Sequence, residues 1–235
     1  MDLPRSRVAV VAAIRFYGGQ LKRIRWHRSS ITMHVSLGPV NTGGRFVTLR
    51  GPRMSDANAW REIRLRDQHR IEPFWMTAAL SWPDRHTEIR WVRECLQTCR
   101  LARAGCALPL VVEVDGRFAG QCNLEWINPY TRTAEVGIWI DSRVAGQGVG
   151  TAALAMLTDY SFGTVRLHRL TAPICAENAS AARMVEHVGL KREGTMTRYL
   201  DVEGRRKDYD LWAITAEDWC PRRRMPITTE NRSPT

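Results

Sequence analysis

The chain has 235 residues, of which 44% are hydrophobic, and its formal net charge is +11 at pH 7. This length and composition suit one well-buried domain with extensions. The sequence has no apolar run near the roughly 18 residues that span a bilayer, and the apolar run at residues 8–14 is followed by no cleavage site. We therefore expect a cytoplasmic protein that is neither secreted nor inserted into a membrane.

The cysteines give no sign of a metal site or of a disulfide framework. The sequence contains six cysteines without a Cys-x-x-Cys pair, and neither they nor the six histidines have the spacing of zinc ligands. We expect reduced, mostly packed thiols and no bound metal.

The positive charge is concentrated at the start of the chain. Residues 1–32 hold seven basic side chains and one acidic side chain. Such an arm can bind nucleic acid by releasing counterions, but the segment lacks the aromatic spacing of a base-stacking surface. We favour a disordered leader, or a stretch upstream of a true start at Met33, over a nucleic-acid-binding arm.

The first predicted elements follow a linker at residues 33–45. A strand is predicted from Phe46 to Arg50, and a helix capped by Ser55 or Asp56 comes next. A long helix is predicted from Pro83 to about Arg103. Its apolar residues are spaced for one buried face, formed by Ile89, Val92, Leu96 and Leu101.

The middle of the chain reads as three strands followed by a glycine-rich loop. The first two strands join at Asp115-Gly116, a strong hairpin signal, and the third runs from about Thr133 to Asp141. The loop "DSRVAGQGVGTAAL" leads from there into a predicted helix at residues 148–162. A glycine-rich turn before a helix start exposes backbone N–H groups that can hold a phosphate.

The remaining elements are a strand in "LHRLTAPIC", a helix from about Ala179 to Val188, and two strands joined at Glu203-Gly204. Gly189 is placed to end the helix. The order β, α, α, β, β, β, α, β, α, β, β predicts a mixed α/β (α+β) domain over residues 46–215, with a C-terminal tail at 216–235.

Three stretches together resemble the GCN5-related N-acetyltransferase (GNAT) superfamily and, within it, the RimJ-like ribosomal-protein-alanine acetyltransferases. They are "AEVGIWIDSRVAGQGVGTAAL", "ENASAARMVEHVGLKREG" and "TRYLDVEGRRKDYDLWAIT". The resemblance covers about Phe46 to Thr215. It implies a mixed, mostly antiparallel sheet that splays between its fourth and fifth predicted strands and is flanked by helices, with acetyl-CoA as co-substrate.

The resemblance also assigns residues to the co-substrate. It implies that the backbone of Ile138, Trp139 and Ile140 binds the pantetheine arm. The diphosphate is expected at the backbone amides of Gly146, Gly148, Val149, Gly150 and Thr151. Gln147 either contacts the cofactor or is an ordinary exposed loop residue. Asn178 is expected to contact the arm, to cap the following helix, or to do both.

The catalytic residues follow less directly from the family pattern. Ala181 and Val185 stand where relatives carry a serine and a tyrosine, so Tyr199 is the remaining candidate proton donor. Its alternative role is that of a half-buried strand tyrosine. Glu125 and Glu135 are candidate bases that act through water, or else solvated strand carboxylates.

The segment "IEPFWMTAALSW" resembles the substrate-side loops of the group. Glu72, Phe74 and Trp75 are expected either to form a pocket for a protein N-terminus, with Glu72 attracting its ammonium group, or to act as a plug between helices.

The sequence therefore predicts an acetyl-CoA-dependent N-acetyltransferase that acts on a protein N-terminal α-amine, with ribosomal proteins among the candidate partners. The expected state is a monomer or a homodimer. Two alternatives remain at this stage, namely an enzyme that acetylates a small amine and a catalytically silent acyl-CoA-binding module.

Overall fold

The structure of the protein is a computed structural model, and the residues it describes are 35–219. The predicted leader at residues 1–32 lies outside the described residues. Within the described part, no helix is long and apolar enough to cross a membrane.

The first half of the domain contains two strands and then a group of helices. These elements are β1 (Ser36–Thr42), β2 (Arg45–Arg50), a 3₁₀ turn (Met54–Asp56), α1 (Ala57–Arg66), α2 (Gln68–Ile71), a second 3₁₀ turn (Glu72–Phe74), α3 (Trp82–Arg85) and α4 (Glu88–Arg103).

The second half alternates strands with two longer helices. These elements are β3 (Val111–Val114), β4 (Arg117–Asn128), β5 (Thr133–Ile140), α5 (Val149–Gly163), β6 (Arg169–Cys175), α6 (Ala179–Val188), β7 (Lys191–Val202) and β8 (Arg205–Thr215).

All eight strands form one sheet in the order β1-β2-β3-β4-β5-β6-β8-β7. Neighbouring strands are antiparallel except for β5 and β6, which run parallel. The predicted mixed, mostly antiparallel sheet flanked by helices is therefore confirmed. Because β1 was not foreseen, the fourth and fifth predicted strands are β5 and β6.

The parallel pair β5–β6 is short, and this positions the site. Only Thr133–Glu135 pair with Arg169–Thr171. Beyond that point β5 continues along β4 as far as Ile140, while β6 continues along β8 as far as Cys175. The two strands therefore diverge, as the resemblance implied, and a gap opens between them.

The N-terminal boundary of the domain differs from the sequence prediction. Part of the predicted linker at residues 33–45 is strand β1, which pairs with β2 and buries Leu37 and Val40. The sequence obscured this strand because Gly38 and Pro39 interrupt its apolar pattern, and the β1–β2 register shifts between Leu37 and Val40.

The C-terminal boundary differs as well. Residues 216–219, placed in the predicted tail, lie on the domain. The ring of Trp219 packs 5.5 Å from that of Phe162, and its indole N–H donates to Asp159. The rest of the predicted tail lies outside the described residues.

The long helix predicted from Pro83 is two helices, because Thr87 caps α4 and accepts a hydrogen bond from the Arg90 amide. The prediction of its buried face was wrong. The core contains Trp91, Cys95 and Ala102, while the predicted apolar residues are all exposed, namely Ile89, Val92, Leu96 and Leu101. The helix carries two apolar stripes, and the one with the tryptophan is buried.

The core has two main parts. The larger cluster includes α5 and α6 side chains packed on the sheet, such as Leu154 and Val185. A second cluster joins Trp60 of α1 and Trp91 of α4 to Trp139 of β5. Since side chains alternate along a strand, β5 contributes Val136 to the first cluster and Trp139 to the second.

Candidate active site

A cavity of about 2020 Å³ follows the gap between β5 and β6. It is larger than the roughly 300–1,000 Å³ of a typical single-ligand pocket. Its wall includes the ends of both strands, the first turn of α5, and residues from α1 and α6. It therefore has room for a cofactor and an acceptor together.

The backbone of β5 presents alternate residues to the gap. In β4, the amides of Cys122 and Leu124 donate to the carbonyls of Leu110 and Leu108, so the backbone of these two residues faces away from β5. Just after β5, the Asp141 amide donates to the Ala119 carbonyl on the β4 side. The ladder alternation then directs the backbone of Trp139, paired with Gln121, towards β4. It leaves the backbone groups of Ile138 and Ile140 facing the gap.

This register divides the three residues predicted to bind the pantetheine arm. Ile138 and Ile140 can offer backbone hydrogen bonds across the gap, as an added strand would need. Trp139 cannot do so, because its backbone faces β4. Its indole N–H donates to Gln121 at 2.9 Å, and its ring belongs to the second core cluster.

The glycine loop and the start of α5 form the second part of the site. Gly148 is the N-cap of α5 with φ +78°, and Gly146 has φ +74°, a left-handed backbone that glycine adopts without strain. The amide of Ala152 makes the first bond of the helix, to the Gly148 carbonyl. Helix geometry leaves the preceding amides, those of Val149, Gly150 and Thr151, without intrahelical acceptors. These donors and the helix dipole favour an anion.

Gly150 has a packing role in the same turn. A Cβ at this position would lie 2.8 Å from Sδ of Met184 on α6. Glycine therefore allows α5 and α6 to approach closely beside the cavity.

The structure gives Gln147 and Asn178 local partners. The Gln147 side chain accepts a hydrogen bond from Nε of Arg45 and donates to the Arg143 carbonyl, which fits the alternative reading of a loop residue. Oδ1 of Asn178 accepts from the Ala181 amide and so caps α6. Asn178 also lines the cavity, so its predicted contact with the pantetheine arm stays a prediction.

The two candidate bases lie opposite each other on neighbouring strands. Glu125 of β4 is in register with Glu135 of β5, and both line the cavity. Oε1 of Glu125 lies 3.5 Å from where a Cβ of Gly137 would be, so this carboxylate covers that glycine. Because side chains alternate along a strand, Glu135, Gly137 and Trp139 lie on one face of β5, and the register places Glu125 on that face as well.

The environment makes both carboxylates better bases. Burial raises the pKa of Glu135, and the charge of Glu125 raises it further. Burial also raises the pKa of Glu125, although part of this residue is exposed. A hydrogen bond from Asn123 offsets part of that rise, and the charge of Glu94 adds to it. A carboxylate with a raised pKa holds a transferred proton more strongly.

Two tyrosines stand on the β7–β8 side of the cavity. The predicted proton donor Tyr199 lines the cavity, and its ring is 5.7 Å from that of Tyr209. Tyr209 is buried and also lines the cavity, and burial raises its pKa to about 12. Tyr209 therefore stays protonated at neutral pH, and sequence reasoning had overlooked it.

The three predicted acceptor-side residues do not act together. Phe74 and Trp75 line the cavity, as expected for a substrate pocket. Among the described residues, Glu72 does not line this cavity. Its carboxylate accepts hydrogen bonds from the Gln68 side-chain amide and from Nη2 of Arg85, the latter at 3.2 Å. The structure therefore disagrees with a role for Glu72 in attracting the acceptor ammonium group, because that carboxylate already has a cation partner.

Sequence reasoning also missed His86. This buried residue lines the cavity, and its Nδ1 lies 2.7 Å from the Trp82 carbonyl, which can only accept a hydrogen bond. Nδ1 therefore carries the proton and Nε2 keeps its lone pair. Burial lowers the pKa of His86 to about 4, with Arg64 and Arg85 adding to this, so the ring is neutral at pH 7. No motif marks this position in the sequence.

Among residues 35–219, no group of three or more histidine, cysteine or acidic side chains is arranged to hold a metal ion. Five cysteines in this range are free thiols.

A parallel strand pair that opens beside a glycine-rich helix start offers backbone groups to an extended arm and N–H donors to an anion. Residues 47–191 match the family model described as the acetyltransferase (GNAT) domain. This is more than half of the chain, and the chain belongs to the GNAT acetyltransferase family. It is an N-acetyltransferase with acetyl-CoA as its co-substrate.

A solved structure of Mycobacterium smegmatis RimJ, in complex with CoA-disulfide, is 41% identical to this chain with a TM-score of 0.76. The match covers 78% of this chain and 88% of that one. It confirms the resemblance to the RimJ-like group.

Curated relatives differ in the acceptor they are named for. Spermidine N(1)-acetyltransferase of Escherichia coli (strain K12) is 29% identical over 119 residues, which are 51% of this chain and 64% of that enzyme. Ribosomal protein uS5-alanine N-acetyltransferase of the same strain is 30% identical over 88 residues, which are 37% of this chain and 45% of that enzyme. The chain thus spans less than two thirds of each of these two curated relatives, which are named for different acceptors.

The first prediction concerns the start of α5. Ala145 lines the cavity just before the two glycines. Ala145→Glu should weaken CoA binding by about tenfold or more, because a carboxylate would repel the diphosphate. The same charge near a helix N-terminus should leave stability unchanged or slightly raised. Calorimetric titration and thermal melting measure the two effects.

Ala145→Gln is the matched control, since it adds the same volume without charge. It should bind CoA more tightly than the glutamate variant does, with an affinity close to that of the wild type. Position 145 is a better choice than Gly148, where φ of +78° would strain any branched residue. Equal affinity of the Glu and Gln variants would argue against an anion at this turn.

The second prediction concerns Glu135. Its folded-state pKa is raised, so the folded protein retains a proton that the unfolded chain releases, and the free energy of unfolding falls as pH rises through that window. Glu135→Gln should therefore be more stable than wild type at pH 7, and this advantage should vanish below the ordinary glutamate pKa of about 4.3. Its kcat should fall by about tenfold or more.

The control is Glu62→Gln, an exposed carboxylate 3.8 Å from Arg143. It should change stability by no more than about 0.5 kcal/mol and leave kcat unaltered. Melting curves and initial rates from pH 4 to 8 report both quantities. A Glu135→Gln protein with wild-type kcat and no gain in stability at pH 7 would remove Glu135 from the mechanism.

Proposed function

We propose that this enzyme acetylates the α-amine of a peptide or protein N-terminus. The observation that carries the proposal is the pair Glu125 and Glu135, set opposite each other in the cavity with pKa values raised by burial. The likeness to the RimJ structure and to the uS5-alanine enzyme supports it. Ribosomal proteins are the protein acceptors that these relatives suggest.

The reaction needs a neutral amine, whose nitrogen forms a bond to the thioester carbonyl carbon as the carbon–sulfur bond breaks. Through water, Glu125 or Glu135 takes the proton that the nitrogen loses. The backbone N–H of Ile138, which faces the gap, polarises the carbonyl as an oxyanion donor does. Tyr199 is the candidate that returns a proton to the departing thiolate.

Carboxylates of this kind suit an α-amine better than a lysine. An α-amine has a pKa near 8, so neutralising it at pH 7 costs about 1.4 kcal/mol, whereas a lysine with a pKa near 10.4 costs about 4.6 kcal/mol. The difference of about 3 kcal/mol corresponds to roughly a hundredfold in rate. Phe74 and Trp75 narrow the acceptor side of the cavity, which favours a small first residue.

A second candidate function is acetylation of a polyamine. The match to spermidine N(1)-acetyltransferase favours it, and so do Glu94, Glu125 and Glu135, all three of which line the cavity. Cations also line the same cavity, among them Arg64, Arg70 and Arg85, and these oppose a polycationic acceptor. Their presence favours the peptide over the polyamine.

The third prediction compares acceptors directly. Peptides that begin with alanine and carry one internal lysine are assayed with a free and with a blocked N-terminus, alongside spermidine. The free peptides should be acetylated at the α-amine at least about tenfold faster than the blocked peptides at lysine. Their rate should rise with pH to about 8 and then level as the α-amine loses its proton.

Mass spectrometry of the products locates each acetyl group. Blocked peptides that react as fast as free ones would contradict the α-amine assignment. Spermidine turnover above that of every free peptide would establish the polyamine function instead.

A further inference from the structure

Arg64 of α1 lies in the wall of the cavity and is almost completely buried, with 3% of its surface exposed. Its guanidinium carbon is 4.1 Å from the ring centre of Trp75 and 4.2 Å from that of Trp139. The cation thus stacks on two tryptophans, which fix its plane. Stacking engages the faces of a guanidinium and leaves its N–H donors pointing outward from the edges.

Those donors are not satisfied by the protein. Nε and Nη1 of Arg64 are buried and have no hydrogen-bond partner among the described residues. Burial lowers the pKa of Arg64 to about 9, while the nearby charge of Glu94 favours the cation, so the side chain stays charged at neutral pH. A buried charged group without hydrogen bonds is costly and calls for a partner.

A second buried arginine shows how this fold treats a purely structural cation. Arg50 donates to both oxygens of Asp56, to Glu113 and to the Gly51 carbonyl. It lies away from the cavity lining, whereas Arg64 belongs to that lining. The difference indicates that the partner of Arg64 comes from a molecule in the cavity.

The place of Arg64 points to the acceptor and not to CoA. It stacks on the side chain of Trp139, on the face of β5 that also carries Glu135 and Gly137, while the cofactor positions face the gap and the start of α5. Trp139 is four residues from Glu135 along the strand, or about 13 Å. An extended peptide covers that distance in about four residues.

We propose that Arg64 binds the carboxylate of an aspartate or glutamate among the first few residues of the acceptor peptide, and so helps to set acceptor specificity. This rests on the proposed function, because it takes the acceptor to be a peptide with its α-amine near Glu125 and Glu135. A planar carboxylate can accept an N–H from either edge of the guanidinium, and it accepts two parallel donors where Nη2 acts together with Nε or with Nη1. A polyamine offers no such group.

The test uses free-amine peptides that begin with alanine and carry a single glutamate at position two, three or four, each paired with a glutamine peptide. With the wild-type enzyme, at least one glutamate peptide should have a KM about tenfold or more below that of its glutamine partner. In Arg64→Met this KM ratio should fall to about one. Arg64→Lys, which keeps the charge without the fork, should fall between the two.

Arg85→Met is the matched control, because Arg85 also lines the cavity and lies 4.5 Å over Trp82. Its Nε likewise has no partner in the described part of the chain, but its two Nη groups are bonded to Glu72 and to the Met76 carbonyl. It should keep the wild-type KM ratio. The melting temperature of Arg64→Met should match or exceed that of wild type, since an unpaired buried charge has been removed. A purely structural role for Arg64 would instead change KM for both members of a pair equally.

Three outcomes overturn the proposal. The first is that the wild type has equal KM values for the two members of every glutamate and glutamine pair. This outcome does not depend on whether any variant folds, and it does not contradict the α-amine function. The second is a KM ratio that survives in Arg64→Met. A panel in which no free-amine peptide reacts overturns the proposed function together with this inference.

Discussion

The short parallel contact between β5 and β6 is the constraint on which the rest of the site depends. Three residues of each strand pair, and each strand then follows a different antiparallel neighbour. A sheet that stayed closed would use the backbone of Ile138 and Ile140 for β6 and leave no cavity. Backbone groups that go unpaired inside a protein cost about 1–3 kcal/mol each, so the opening is stable when a ligand or water supplies their partners.

Glycine maintains this geometry where other residues could not. A Cβ on Gly120 of β4 would lie 2.2 Å from the Trp139 carbonyl, so only glycine lets β4 follow β5 at that point. At Gly150 the constraint is weaker, since a Cβ there would require only the flexible Met184 side chain of α6 to shift. The strand edge and the helix start are thereby held together at one end of the cavity, where a diphosphate and an extended arm can bind at once.

One edge and one face of β5 have different chemical roles. The backbone groups along the edge at the gap, together with the amides of α5, suit the cofactor. The side chains on the face that carries Glu135 and Trp139 form a polar row. In that row the Trp139 indole donates to Gln121, and the Gln121 amide donates to Glu94 at 3.0 Å. This relay fixes the tryptophan that stacks on Arg64, and it ends on a carboxylate whose charge acts on Glu125 and Arg64.

The sequence predicted the parts of the fold that are local. Hairpin glycines, the α5 glycines and the cap at Asn178 each report on a few neighbouring residues, and all were located. The strand β1 was missed because Gly38 and Pro39 break its pattern, and the wrong face of α4 was chosen because periodicity alone cannot rank two apolar stripes.

The site was predictable where it consists of backbone and at several side chains that line the cavity, such as Glu125, Glu135 and Phe74. The glycine-rich loop indicated the α5 start, and the family resemblance implied Ile138 and Ile140, so these positions could be named in advance. Arg64, His86 and Tyr209 could not, because their roles come from packing between segments far apart in the chain. The same limit explains Glu72, whose partner Arg85 lies 13 residues away.

The central claim is that the strand gap and the α5 start bind the cofactor through backbone N–H groups. Residue-resolved amide hydrogen exchange with and without saturating CoA measures this directly. The amides of Ile138, Ile140, Gly150 and Thr151 should gain protection, while those of Gly137 and Trp139, which already face β4, should change little. Unchanged exchange at Ile138 and Ile140, or equal protection along the whole strand, would contradict the account.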